Sequence, residues 1–303
     1  MEGINKEIIR DKFKTIQTHI CGELEAADGG GKFRADKWTR AQGGGGTTRV
    51  MENGNIIAKG GVAFSAVHGA TPEKILKKLQ LEKSDFFATG VSIVIHPINP
   101  FVPIIHMNIR YFEMGDGTYW FGGGIDLSPH YVDPADARYF HQQLKQLCDK
   151  YHPGFYPRFK KWADDYFYIP HRGETRGVGG IFFDRLIADE DLPLPKLLSF
   201  VEEVGYLFPE IYSDLMKKHS GRSYGENELQ WQALRRGRYV EFNLVWDAGT
   251  KFGLDTGGRT ESILMSMPPQ AHWAYNFKPA PGSAEALTLD RLKKDIDWIN
   301  SVV

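Results

Sequence analysis

Cysteine is nearly missing from this chain. Cys21 and Cys148 are the only two in 303 residues, too few and too far apart for a disulfide framework or a CxxC site, so a reducing compartment is the simplest expectation. Excess charge is missing too. Thirty-seven Lys and Arg stand against 38 Asp and Glu, a net charge of −1, which excludes the basic field that nucleic-acid binding needs and gives an acidic membrane surface nothing to attract. The chain opens with neither an apolar signal core nor an acid-free Arg/Ser-rich segment, and a cytoplasmic protein is expected. One stretch, Phe86 to Ile109, has no charged residue and is long enough to cross a bilayer. It contains Pro97, Pro100 and Pro103, and its apolar residues alternate. It reads as two buried strands joined by a proline-rich turn, with no membrane span.

The nucleotide and hydrolase fingerprints are lacking as well. Neither Gly29-Gly-Gly-Lys-Phe33 nor Gly43-Gly-Gly-Gly-Thr-Thr48 fits a P-loop. Gly122-Gly-Gly124 and Gly177-Val-Gly-Gly180 do not fit the dinucleotide pattern opening a helix. There is no HExxH, no Gly-x-Ser-x-Gly elbow and no Cys/His zinc spacing. The glycines therefore mark turns and close backbone approach.

What the chain does have is aromatic surface: 7 Trp, 13 Tyr and 19 Phe, enough for a core, an interface or a planar ligand. Helical spacing covers residues 5–27 and ends at Asp28-Gly-Gly-Gly31, and Gly43 to Gly46 reads as a flexible loop. Asn53-Gly54 between Thr47–Met51 and Ile56–Val67 predicts a hairpin. A short helix is predicted over 72–81, and strands over 90–96, 104–112 and 118–127. Helices follow at 134–150 and 157–168, then a strand at 178–184 and a long helix at 195–219. Residues 226–236 continue helical, 238–247 and 260–267 alternate like strands, and 286–302 closes the chain as a helix. Strands come in hairpins and helices in blocks, the signature of an α+β protein with a mainly antiparallel sheet. No linker or repeat divides residues 1–303, so a single domain is expected.

Three sets of residues can carry chemistry. Period-two spacing puts His106, Asn108 and Arg110 on one face of their strand, and Ser92 and His96 on one face of the preceding strand. As a strand, 238–247 would likewise align Tyr239, Glu241, Asn243 and Asp247. Such faces suit a polar pocket floor or a solvated sheet side. The loop Tyr168-Ile-Pro-His-Arg-Gly-Glu-Thr-Arg176-Gly177 and the turn Asp255-Thr-Gly-Gly-Arg259 place Arg beside Gly, as carboxylate recognition requires. Internal salt bridges would place them in the same way.

Six segments, in order, closely resemble the oxygen-dependent coproporphyrinogen III oxidases of haem biosynthesis. They are Gly43-Gly-Gly-Gly-Thr-Thr-Arg-Val50, Val91-Ser-Ile-Val-Ile-His-Pro97, His106-Met-Asn-Ile-Arg-Tyr-Phe-Glu113, Trp120-Phe-Gly-Gly-Gly-Ile-Asp126, Tyr168-Ile-Pro-His-Arg-Gly-Glu174 and Phe252-Gly-Leu-Asp-Thr-Gly-Gly-Arg259. The resemblance implies a flat, seven-stranded, mainly antiparallel sheet sandwiched between helices, and a homodimer formed through about residues 239–273. It implies oxidative decarboxylation of two propionates of coproporphyrinogen III to vinyls, with O2 as co-substrate and protoporphyrinogen IX as product. No organic cofactor is implied, because the electron-rich pyrrole can itself react with O2.

Carried over by motif, His106 matches the family's proton donor, and Asp247 the carboxylate that engages the pyrrole N–H groups. Ser92, Asn108, Ile109, Arg110, Gly257, Gly258 and Arg259 match substrate contacts. His96, His106, His141 and His171 match divalent-metal ligands of some members, although the implied reaction does not require a metal. The family reads Asp-Arg-Gly-Thr where this chain has Asp247-Ala248-Gly249-Thr250. Ala248 thus favours a competing reading, a non-catalytic tetrapyrrole-binding protein. A metallohydrolase built on the four histidines is a third.

Overall fold

The computed structural model describes residues 4–71, 84–255 and 257–301; the helix expected over 72–81 lies outside them. A long helix α1 (Lys6–Asp28) is followed by six antiparallel strands. They are β1 (Arg34–Thr39), β2 (Gly44–Glu52), β3 (Ile57–Ala70), β4 (Asp85–Pro97), β5 (Ile104–Met114) and β6 (Tyr119–Ser128). Then come α2 (Pro134–Tyr151), α3 (Phe155–Tyr166), a small hairpin of β7 (Tyr168–Ile169) and β8 (Glu174–Thr175), and β9 (Gly180–Leu186). The chain continues through α4 (Leu194–His219), α5 (Glu226–Glu241), a π-helical turn (Phe242–Trp246), α6 (Ala248–Asp255), α7 (Thr260–Leu264) and α8 (Ala284–Arg291). The main sheet has seven strands in the order β1-β2-β3-β4-β5-β6-β9, all antiparallel. The α+β architecture read from the sequence is the one observed.

The two faces of this sheet differ completely. Strand alternation sends Val62, Phe64, Val91, Ile93, Ile95, Ile105, Met107, Ile109, Tyr111, Phe121, Ile125 and Leu127 to one face, and all are buried. Phe13, Ile16, Ile20 and Leu24 of α1 cover that face together with Phe200, Val201, Val204 and Phe208 of α4. Each of these side chains contributes about 1.5–3 kcal/mol by leaving water. The helices cross closely at Gly205, where a Cβ would lie 2.8 Å from Ile16. A polar group of α1 enters the layer: Gln17 donates to the carbonyls of Thr47 (2.7 Å) and Val62 (2.8 Å).

At the end of α1, Gly29 takes the left-handed conformation (φ 75°) that closes a helix. Asp28 then folds into the predicted hairpin turn. Its carboxylate accepts from the backbone N–H groups of Gly31, Asn55, Ile56 and Ile57 at 2.6–2.9 Å. Burial pushes its pKa up, but the four donors outweigh it and hold the group below the usual carboxylate range.

Several expectations are corrected. Residues 238–247 are not a strand: α5 runs to Glu241 and the π turn follows. The buried residues Arg235, Tyr239, Phe242 and Asn243 fall at helical spacing, so the polar alternation was a coincidence of composition. Residues 260–267 form a short helix and turns, and the closing helix ends at Arg291. Gly44 to Gly46 are not a loop but the start of β2, paired with β1, a strand the sequence did not suggest. They are glycines because neighbours press on them: a Cβ on Gly46 would sit 2.6 Å from the Trp38 ring.

Candidate active site

The second face of the sheet is the floor of a cleft. Register places Gly46 and Thr48 (β2), Gly61, Ala63 and Ser65 (β3), Gly90, Ser92, Val94 and His96 (β4), His106, Asn108 and Arg110 (β5) and Gly122, Gly124 and Asp126 (β6) side by side on it. Small side chains dominate, so the floor is flat. The segment from α5 to residue 267 roofs one end. Tyr239 meets His96 edge-on (5.2 Å between ring centroids), Met265 lies over Gly61, and Ser262 shares a 2.7 Å hydrogen bond with Thr48. Ala63, Ser65, Gly90, Ser92 and Asn108 stay partly accessible at the centre.

His106 is fixed from below. Its Nδ1–H donates to Asp126 Oδ1 (2.8 Å), and with the side chain 17% exposed, Nε2 faces the cleft. Asp126 is 1% exposed and also receives the Arg176 guanidinium on both oxygens at 2.7 Å. Burial alone would raise the Asp126 pKa; the Arg176 charge and the His106 hydrogen bond overcome it and keep the carboxylate ionised. Arg176 is held in turn by the faces of Phe167, Phe242 and Tyr239, 4.4–4.7 Å from its Cζ, and by Asn243 Oδ1 (2.8 Å). A histidine oriented by a charge-balanced carboxylate, its second nitrogen exposed, is arranged to exchange a proton with a ligand.

The sequence assigns Asp126 no role and leaves Arg176 open to a ligand or to an internal salt bridge; Arg176 is buried and paired inside the protein, the second of these. A carboxylate in the apolar run Phe121–Leu127 was the available signal. Arg172 is also internal: with His171, Arg238 and Trp273 it donates to Glu241. Burial would raise the Glu241 pKa, but these donors bring it down to about 2.

The predicted contact residues divide. Ser92, Asn108 and Arg110 share the floor with His106. Arg110, with a side chain 46% exposed, reaches across Gly122 to Asp184 (2.8 Å). Arg259 lies at the other side of the cleft, bonded to Asp36 of β1 and to Ser262 (3.2 Å). Four strand spacings, about 19 Å, separate β1 from β5, so the two arginines bracket a wide floor. Ile109 is a correction: its side chain points into the opposite, apolar core. The N–H groups of Gly257 and Gly258 are turned inward to the carbonyls of Leu254 and Gly253, closing α6. Asp247 begins α6 and accepts from the Thr250 N–H (2.6 Å) and the Tyr166 hydroxyl (2.8 Å). It is half-buried, and the Arg176 charge feels it.

The four histidines do not assemble a metal site. Among the described residues, no three of them bring ligand atoms within 4.8 Å. His141 has both nitrogens occupied, by Tyr156 Oη and the Val178 carbonyl (each 2.9 Å), and His171 is held between Glu241 (2.9 Å) and the Trp246 indole N–H (3.1 Å). His96 Nε2–H donates to the Ser266 carbonyl (2.8 Å), and burial drives both His96 and His141 down to about 3. The residues present do not fit a four-histidine metal. A separate group, Asp133, Asp136 and His219, is bridged by the Lys218 ammonium (2.5 Å to Asp136).

Fold and site together define an α+β protein whose sheet floors a broad cleft, with cations at both sides and one histidine anchored by a buried carboxylate. The profile of a protein family described as coproporphyrinogen III oxidase matches residues 8–298. The chain is 46% identical to "Coproporphyrinogen-III oxidase 1, chloroplastic" of Arabidopsis thaliana over 310 residues, covering 96% of this chain and 80% of that protein. It is 48% identical to "Oxygen-dependent coproporphyrinogen-III oxidase" of Drosophila melanogaster over 299 residues, 94% of this chain and 76% of that one. The chain belongs to the coproporphyrinogen III oxidase family.

Proposed function

We propose that this protein is an oxygen-dependent coproporphyrinogen III oxidase that converts two propionates of coproporphyrinogen III to vinyls in haem biosynthesis. The observation that carries the reading is the His106–Asp126–Arg176 array on a flat floor between Arg110 and Arg259, in a chain of this family. A tetrapyrrole with carboxylate arms needs both the flatness and the spaced cations. In each step the bond to the carboxylate carbon breaks and CO2 leaves. Its electron pair forms the vinyl double bond as the neighbouring carbon gives up a hydride equivalent. O2 accepts those two electrons and the proton, and with one further proton leaves as hydrogen peroxide. His106 is assigned the proton transfer at the reacting arm, supported by its Nδ1 hydrogen bond to Asp126 and its partial exposure. Asp247, beside Arg176, is assigned to the pyrrole N–H groups. No organic cofactor enters the scheme.

The working form is a homodimer. In its support, Leu244, Val245, Trp246, Leu254 and Trp273 are all exposed within residues 239–273, an apolar cluster of the kind obligate interfaces cover. The buried free thiols of Cys21 and Cys148 suit a reducing, cytoplasmic setting. The test is aerobic incubation with coproporphyrinogen III, reading protoporphyrin fluorescence after oxidation. Product in air and none under nitrogen is expected; tight binding without product in air would instead establish a non-catalytic tetrapyrrole carrier. Sedimentation at micromolar concentration should give twice the chain mass, and an active monomer would remove the dimer.

A further inference from the structure

The cleft floor continues past Arg110 into an aromatic ladder that nothing above explains. Phe112 follows Arg110 on the same face of β5, two residues on. Its ring stacks on Trp120 of β6 (4.5 Å, 24°) and on Phe86 of β4 (5.7 Å, 6°). All three rings are only partly buried. The ladder ends at Arg40, whose guanidinium lies 5.9 Å from the Phe86 ring centroid and donates to the His68 carbonyl (3.2 Å). Arg40 stands in the tight β1–β2 turn, fixed by backbone hydrogen bonds with Gly43 and Gly44. The turn folds over the end of the sheet opposite the roofed end.

Arg40 differs from the other arginines of the cleft. Arg110, Arg176 and Arg259 each hold a carboxylate of the protein. Among the described residues Arg40 meets none; its one hydrogen-bond partner is a neutral carbonyl, so most of its five donors are open. A guanidinium steadied on an aromatic face, with its fork unoccupied, is preorganised for an incoming carboxylate.

Position supplies the rest. From His106 to Phe112 the strand rises about 20 Å. A macrocycle with its reacting arm at His106 lies along Asn108 and Arg110, and arms on its far rim reach toward the ladder. The geometry points to Arg40 as the anchor for a substrate carboxylate that is not being decarboxylated, with Phe86, Phe112 and Trp120 as the apolar edge beside it. This rests on the proposed function and adds a specificity residue to the same cleft.

The test uses the whole enzyme with Arg40→Gln and Arg40→Lys. Two substrates are compared: coproporphyrinogen III, and the same macrocycle with the two non-reacting propionates as methyl esters. Loss of one half-exposed charge-assisted contact corresponds to about a tenfold change at the lower end of its range. Wild type should show KM about tenfold higher for the diester at similar kcat. Arg40→Gln should show that higher KM for the free acid and no further rise for the ester, and Arg40→Lys should fall between. An unchanged KM in Arg40→Gln overturns the proposal. So does a rise equal for acid and ester, which would mean that Arg40 only braces its turn. If wild type gives no turnover at all, the proposed reaction fails separately. Fluorescence binding of the oxidised tetra-acid and diester porphyrins to the same variants then still decides whether Arg40 reads a carboxylate.

Discussion

Removing the charge of Asp126 should separate what holds this site together from what it does. Asp126 and Arg176 are both buried, and Asp126→Asn leaves the Arg176 guanidinium with no ion partner but the more distant Asp247. Breaking such a pair from one side destabilises by about 3–5 kcal/mol, because the remaining charge stays desolvated. Against a total of about 5–15 kcal/mol this is a large fraction. At a urea slope of about 3 kcal/mol per molar it moves the midpoint down by about 1 M or more. Arg176→Met should do the same from the other side. The double variant Asp126→Leu with Arg176→Met removes both charges and leaves the Met side chain among Phe167, Tyr239 and Phe242. It should be more stable than either charge-stranding single variant. Turnover behaves differently: with the orienting carboxylate of His106 gone, both variants that replace Asp126, the stable double included, should lose about two orders of magnitude or more in rate. Urea titration followed by tryptophan fluorescence, alongside steady-state rates, reads both. Single variants within 1 kcal/mol of wild type, or a double variant as unstable as the sum of two singles, would refute the ion-pair reasoning. A fully active double variant would refute the positioning of His106.

Three further outcomes are expected. Asp247→Asn should keep the helix cap, because Asn caps about as well as Asp, and should lose at least a hundredfold in turnover if the charge acts on substrate; a rate within twofold of wild type leaves Asp247 the cap alone. Gly122→Ala puts a Cβ 2.5 Å from Arg110 Nε and 2.7 Å from Asp184 Oδ1, so KM should rise with little change in urea midpoint, and an unchanged KM would take Arg110 out of substrate binding. Asp28 is held below the usual carboxylate range in the folded state, so its contribution is complete above the unfolded value near 4 and is lost as pH falls through the lower folded value. Asp28→Asn should therefore flatten the loss of stability on acidification relative to wild type, and parallel curves would deny the carboxylate that role.

Much of the sheet was legible in sequence because period-two alternation and burial agree there. Val91–His96 and Ile104–Phe112 put apolar residues on the helix-covered face and His, Asn, Ser and Arg on the other, as expected. Residues 238–247 defeated the same logic. Their β-branched and aromatic residues alternate with polar ones, yet the exposed apolar positions Leu244 to Trp246 have no core to face. The ion pairs of Arg235 and Arg238 with Glu174 and Glu241 match the helical spacing. Asp126 and Arg176 lie 50 residues apart, and no local pattern announces which buried charge will meet which. The polar floor was visible in the chain; the support beneath His106 was not.

The order in which the site is made follows from the strand order. Strands β1 to β6 pair each with the next, so their contacts are short in sequence and quick to close. Residues 34–128, which carry the floor and Asp126, are therefore made before any of their later partners. Arg176 arrives later, and Tyr239, Phe242 and Met265 later still. Through that interval Asp126 stands on a half-finished sheet with no cation beside it, and the open face shows its glycines to water. A nascent chain halted before residue 176 would thus carry the residues of the floor without β9, α4 or Arg176, and the last two fifths of synthesis supplies them.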